Sequence, residues 1–147
     1  PVRGREPLDI EPEHIKAVQK AMFAVVNERG GTAGGSAIRK KGWEMAGKTG
    51  TSQVRFITKE ERARGVIRNE DLPWERRDHA LFVAYAPADN PRFSISVVVE
   101  HGGGGSKAAA PIARDIMREA LELGADNGYR ALPTDVRAGK PILGDKA

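Results

Sequence analysis

Residues 42–52 read GWEMAGKTGTS, and the conformation of that stretch decides the fold. Gly42, Gly47, Lys48 and Thr49 satisfy the phosphate-loop pattern G-x-x-x-x-G-K-[ST], which needs a buried strand before it and a helix opening at the Lys-Thr pair. Lys48-Thr49-Gly50-Thr51 is also the K-T-G element that serves serine acyl transfer from a strand. Lys48 holds a phosphate in the first case and a carboxylate in the second.

The flanks favour the strand. SAIRKKG, 36–42, is too polar for a buried central strand. GTSQVRFI, 50–57, disfavours a helix through its Gly, its two hydroxyl residues and β-branched Val. Trp43 and Met45 are bulky where a tight loop wants small residues. Only ISVVVE, 95–100, faintly suits a nucleotide binder, as an apolar strand ending in an acid. In an extended chain, Gly47 and Gly50 mark a place where another backbone can come close. Thr49 and Thr51, two residues apart, present hydroxyls on one side, and Lys48 adds positive charge. The set can grip a peptide's terminal carboxylate. Strict alternation sends Lys48 and Thr49 to opposite faces, so either the strand twists locally or one of them acts from its edge.

Working outward, EPEHIKAVQKAMFAVVNERGG carries Ile15, Val18, Met22, Phe23, Val25 and Val26 at helical steps. The expected helix opens at Pro12 and closes at Gly30. A glycine-rich loop (30–42) leads to a strand over about 43–57. A polar insertion follows, 57–79, in which Thr58 and Glu61 form a capping box for a short helix ending before Gly65. ALFVAYAP and RFSISVVVEH read as two strands joined at A-D-N-P, with Val97, Val98 and Val99 suggesting burial on both sides. The last helix begins at Ser106 and is regular from Ala108; it has Ile112, Ile116, Met117, Ala120 and Leu121 on one face and Gly124 as its stop. Residues 1–10 read as a linker within something larger, and 124–147 as a flexible tail. The expected fold class is α+β: a three-stranded antiparallel sheet with both helices on one face.

Composition narrows the function. The 147 residues suffice for one domain, and no apolar run is long enough to span a bilayer. The 24 basic and 20 acidic residues are interleaved, which argues against a nucleic-acid stripe. There is no cysteine, and His14, His79 and His101 lack ligand spacing, so neither a metal nor a cofactor is expected.

MAGKTGTSQV (45–54), RDHALFVAYAPADNPRFSISVVVEHGGGG (77–105) and AAAPIARDIM (108–117), in that order, resemble the class B penicillin-binding D,D-transpeptidases of the penicillin-binding protein 2 family. The resemblance runs from about Glu11 to Leu123. It implies the C-terminal part of a transpeptidase domain: the last three strands of a five-stranded sheet, the helix before them and the C-terminal helix. It further implies that Lys48 sets the electrostatics beside a catalytic serine and that Thr49 and Thr51 hold the donor carboxylate. The Thr51 N–H would be an oxyanion-hole donor, with Gly50 leaving room for the acyl group. Implied partners are peptidoglycan stem peptides, β-lactam antibiotics, the rest of the parent domain and proteins of the elongation machinery. The implied location is the periplasmic face of the bacterial inner membrane, with the anchor outside this chain.

One departure is large. Such an enzyme also needs S-x-x-K and S-x-N, yet Ser36, Ser52, Ser94, Ser96 and Ser106 begin neither motif. The nucleophile is therefore expected upstream, and this chain alone should be inactive and prone to self-association. The competing expectation is a non-catalytic binding or assembly module of the same fold. His79, preceded by Asp78, and His101, at a strand end, are further candidates for the site, with structural roles favoured for both. His14 is expected to be solvated, and Trp74 to pack locally or serve in a lid.

Overall fold

A computed structural model describes residues 9–126. The first helix, α1 (Pro12–Asn27), starts with a proline whose φ already suits a helix and has Glu13 in its first turn, where the helix dipole favours an acid. It ends at Asn27, three residues before Gly30, whose φ of 86° turns the chain away. Val26 is buried, but Val18 is 59% exposed, so the buried stripe is narrower than the pattern implied.

The strands are β1 (Ala46–Ser52), β2 (His79–Ala86) and β3 (Phe93–Val99), antiparallel in the order β1-β2-β3. Thr49 pairs with Phe82, and Phe82 with Val97. Period-two alternation puts Ala80, Phe82, Ala84 and Ala86 of β2 into the core. These small residues around one large ring let both helices lie close. Val26 from α1, and Met117 and Leu121 from the last helix, α3 (Ala109–Asp126), join Met45 and Phe82 in one cluster. Both helices therefore share one face of the sheet, as expected for the α+β class. Each large side chain buried there contributes about 1.5–3 kcal/mol.

Three details differ from the sequence pattern. Val98 is 58% exposed while Val97 and Val99 are half-buried, so β3 is covered on one face only. On α3 the buried hydrophobic positions are Ala109, Ala110, Ala113, Met117 and Leu121, whereas Ile112 and Ile116 point outward. Alanines bring that helix close to the sheet, and the isoleucines fall on the neighbouring face. Finally, α3 does not stop at Gly124 but continues to Asp126. Gly124 is a point of close approach: a side-chain carbon there would lie 3.0 Å from Arg92 Nη2 and 3.1 Å from Phe93 Cζ. The remainder of the expected tail, and most of the expected linker, lie outside the described residues.

Between β1 and β2, the insertion forms α2 (Lys59–Arg64) and two short 3-10 turns, 69–71 and 74–76. Thr58 caps α2 by accepting the Glu61 N–H at 3.1 Å, and Gly65 closes it. The other half of the box does not form. The Glu61 carboxylate instead takes both guanidinium nitrogens of Arg55, at 2.6 and 2.5 Å, and the Ile67 N–H. The Arg55 hydrogen bonds hold the Glu61 carboxyl down at about 2. No helix among the described residues is long and apolar enough to cross a membrane.

Candidate active site

Lys48 to Ser52 are strand, and no helix opens at Thr49. The phosphate-loop geometry is therefore absent, since its anion-binding helix N-terminus does not exist here. Among the described residues β1 is an edge strand, with β2 on one side of its backbone and no strand on the other.

Register sorts the side chains. Thr49 and Thr51 pair with Phe82 and Ala80, whose side chains enter the core, so the two hydroxyls share the helix-side face. Thr51 is exposed; Thr49 is half-buried, its hydroxyl 3.2 Å from that of Thr32. Lys48 leaves the opposite face, is exposed, and bends back so that Nζ donates to the Thr49 carbonyl at 2.8 Å. The alternation is kept, and the ammonium reaches the edge of the strand by folding over its own backbone.

The glycines on β1 are places of contact. At Gly47 a side-chain carbon would sit 2.5 Å from the Phe82 ring and 2.8 Å from the Val83 carbonyl oxygen. At Gly50 it would press on Leu81 at 3.2 Å. Gly105, from the loop after β3, packs so tightly on the backbones of Gly50 and Leu81 that no side chain fits there.

His79 and His101 come together. The His101 backbone N–H donates to His79 Nδ1 at 2.9 Å, and the two rings meet edge-on with centroids 4.7 Å apart. Trp74 packs on His101 from the insertion at 4.4 Å, which is local packing. His14 is exposed. His79 pairs with Ser52 across the ladder, one position beyond Thr51, so the histidine pair borders the K-T-G strand without touching its hydroxyls. A cavity of about 390 Å³ lies between the insertion and the glycine loop, lined among others by Arg68, Arg77, His101 and Lys107. Lys48, Thr49 and Thr51 do not line it.

Thr32 and Gly105 escaped the sequence reading as parts of this neighbourhood. The run of four glycines, 102–105, was the available signal for Gly105, because such runs permit close approach of backbones. Nothing local marks Thr32.

An edge strand bearing Lys-Thr-Gly-Thr, on an antiparallel sheet with helices over one face, defines a class. The penicillin binding protein transpeptidase domain family matches residues 5–118, and the chain belongs to that family. Its similarities include MrdA transpeptidases and solved structures of penicillin-binding protein 2. It is 41% identical over 102 residues to the peptidoglycan D,D-transpeptidase MrdA of Haemophilus influenzae, covering 69% of this chain and 15% of that protein. It is 30% identical over 138 residues to MrdA of Escherichia coli, covering 92% of this chain and 19% of that one. The chain thus spans less than a fifth of the length of these curated relatives. Among solved structures, a complex of penicillin-binding protein 2 with MreC from Helicobacter pylori matches with a TM-score of 0.61 at 31% identity, covering 77% of this chain and 18% of that one. Pseudomonas aeruginosa penicillin-binding protein 2 in complex with WCK 5153 matches with a TM-score of 0.58 at 34% identity, covering 76% and 20%.

Proposed function

We propose that this chain supplies one wall of the acyl-transfer cleft of a peptidoglycan D,D-transpeptidase, with the serine nucleophile provided by another part of the same protein. The observation that carries this is the placement of Lys48-Thr49-Gly50-Thr51 on an edge strand, with two hydroxyls on one face and an ammonium at the edge. Thr49 and Thr51 hold the carboxylate of a stem-peptide donor or of a β-lactam. Lys48 supplies the positive field beside the serine. In the acylation step the serine oxygen bonds to the donor carbonyl carbon and the leaving amine departs with a proton. The negative charge that builds on the carbonyl oxygen is met by the Thr51 N–H, and losing such a donor costs ~3 kcal/mol of transition-state stabilisation. An acceptor amine then takes the acyl group from the serine.

The exposure of Lys48 and Thr51 supports a cleft completed by chain outside these residues. So does the absence of S-x-x-K and S-x-N from the sequence. The family supports a periplasmic setting at the inner membrane, and the MreC complex of a relative supports an assembly partner of that kind. Labelling with a fluorescent penicillin tests the reading. The parent protein should be labelled covalently and this 147-residue chain should not. A parent that remains unlabelled would instead mark a non-catalytic binding or assembly module.

A further inference from the structure

We infer that His79, as its neutral Nε2–H tautomer, is a positioning residue for the Lys-Thr-Gly strand, holding the loop after β3 down on Gly50. This role deepens the acyl-transfer reading above and, as far as catalysis goes, rests on it.

The tautomers follow from the partners. A backbone N–H can only donate, so His79 Nδ1, 2.9 Å from the His101 nitrogen, carries no proton. A carbonyl can only accept, so His101 Nδ1, 2.9 Å from the Arg77 oxygen, carries one. Asp78 fastens the same loop two residues further on, its carbonyl accepting the Gly103 N–H at 2.8 Å. Its carboxylate accepts the Val54 N–H, just beyond β1, at 3.2 Å and Asn69 Nδ2 at 3.0 Å, while its own N–H donates to Asn69 Oδ1 at 2.7 Å. Two adjacent residues thus pin the loop at two points and tie it to the far end of the K-T-G strand.

From there the loop meets the site. Gly105 presses on the backbone of Gly50, which lies between Thr49 and Thr51. His101 adopts a φ of 53°, a left-handed conformation unfavourable for a non-glycine residue, and its bond to His79 helps hold it there. Release of that bond removes one of the two points that hold the loop above Gly50.

The groups beside the His79 ring in sequence or in the ladder that carry or can carry charge are His101, Arg77, Asp78 and Glu100, the last one step beyond the Ala80–Val99 pair. The Arg77 guanidinium is occupied by the carbonyls of Leu72 and Glu70, and the Asp78 carboxylate by Val54 and Asn69. Ser52, opposite on β1, and Trp74, tilted against His101, are uncharged. A proton on His79 Nδ1 turns the acceptor into a donor facing another donor, and the latch opens in acid.

Imidazole ¹⁵N spectra of the full 147-residue chain test the latch without any chemistry. The expected result is an Nε2–H tautomer at His79, an Nδ1–H tautomer at His101, and amide signals of His101 and Gly103 that titrate together with His79. An Nδ1–H tautomer at His79 would overturn the inference. His79→Asn offers a carboxamide oxygen near the place of Nδ1 and does not titrate, whereas His79→Leu offers no acceptor. The Leu variant should move the Gly50 and Thr51 amide signals and the Asn variant should largely spare them; unmoved signals in both would sink the positioning role. In the parent protein, penicillin acylation should fall in acid for the wild type. It should fall roughly tenfold at neutral pH for His79→Leu, and lose its acid limb in His79→Asn. Wild-type kinetics in the Leu variant, or a retained acid limb in the Asn variant, would refute the link to catalysis. If the wild-type parent takes no label, the transpeptidase reading fails, and the spectra still decide whether the latch exists.

Discussion

Thr49 is the residue on which the carboxylate assignment can be tested most directly. A hydroxyl bonded to a charged group contributes about 1.5–3 kcal/mol. Thr49→Val in the parent should therefore slow acylation by a carboxylate-bearing β-lactam roughly 10- to 100-fold, measured as the second-order labelling rate, with the folded state retained. A second test belongs to Glu61, whose carboxyl is held at about 2 against an ordinary 4.5 by its bonds to Arg55. Because the folded value is the lower one, the stabilisation is full above about pH 4.5 and disappears as pH falls toward 2. Wild type should thus lose order in the insertion across that window, followed by the Arg55 side-chain and Ile67 amide signals. Glu61→Gln should lack the transition. The K-T-G-T side chains were legible in the sequence because alternation on a strand needs no tertiary knowledge. Thr32, which meets Thr49 through a loop 17 residues away, was not.

At the level of elements, the sheet was readable and the helix faces less so. Alternation in β2 and the turn before β3 fixed an antiparallel hairpin, and all three strands formed, with β1 shorter than expected. On α3 two apolar stripes compete. Ile112 and Ile116 are the more hydrophobic pair, yet Ala113, Met117 and Leu121 are buried, because small residues let the helix sit against Phe93 and Val97. Hydropathy alone cannot rank closeness of approach. Met117→Ala should consequently cost about 2–5 kcal/mol in denaturant unfolding, and Ile116→Ala no more than about 0.5 kcal/mol. Gly124→Val should cost about 1–3 kcal/mol by overpacking against Phe93 and Arg92; a helix merely ending at that position would tolerate the change.

Taken as a whole, the described part of the molecule lays both helices on one face of its sheet and leaves apolar surface exposed on the other. Val83 of the central strand and Val98 of the edge strand β3 are 44% and 58% exposed there. Such a surface invites pairing with a second copy. Sedimentation of the chain should show concentration-dependent association that Val98→Lys weakens. A further consequence comes from Asn27, whose side-chain amide bonds the Phe23 carbonyl at 3.0 Å and the Met45 carbonyl at 2.9 Å. The end of α1 is thereby keyed to the residue just before β1. A slip of one position along β2 would turn Lys48 beneath the helices and both threonines out to solvent. Asn27 works as an indexing pin, an amide more than twenty residues upstream of Thr51 that helps fix which way the Lys-Thr-Gly-Thr side chains face.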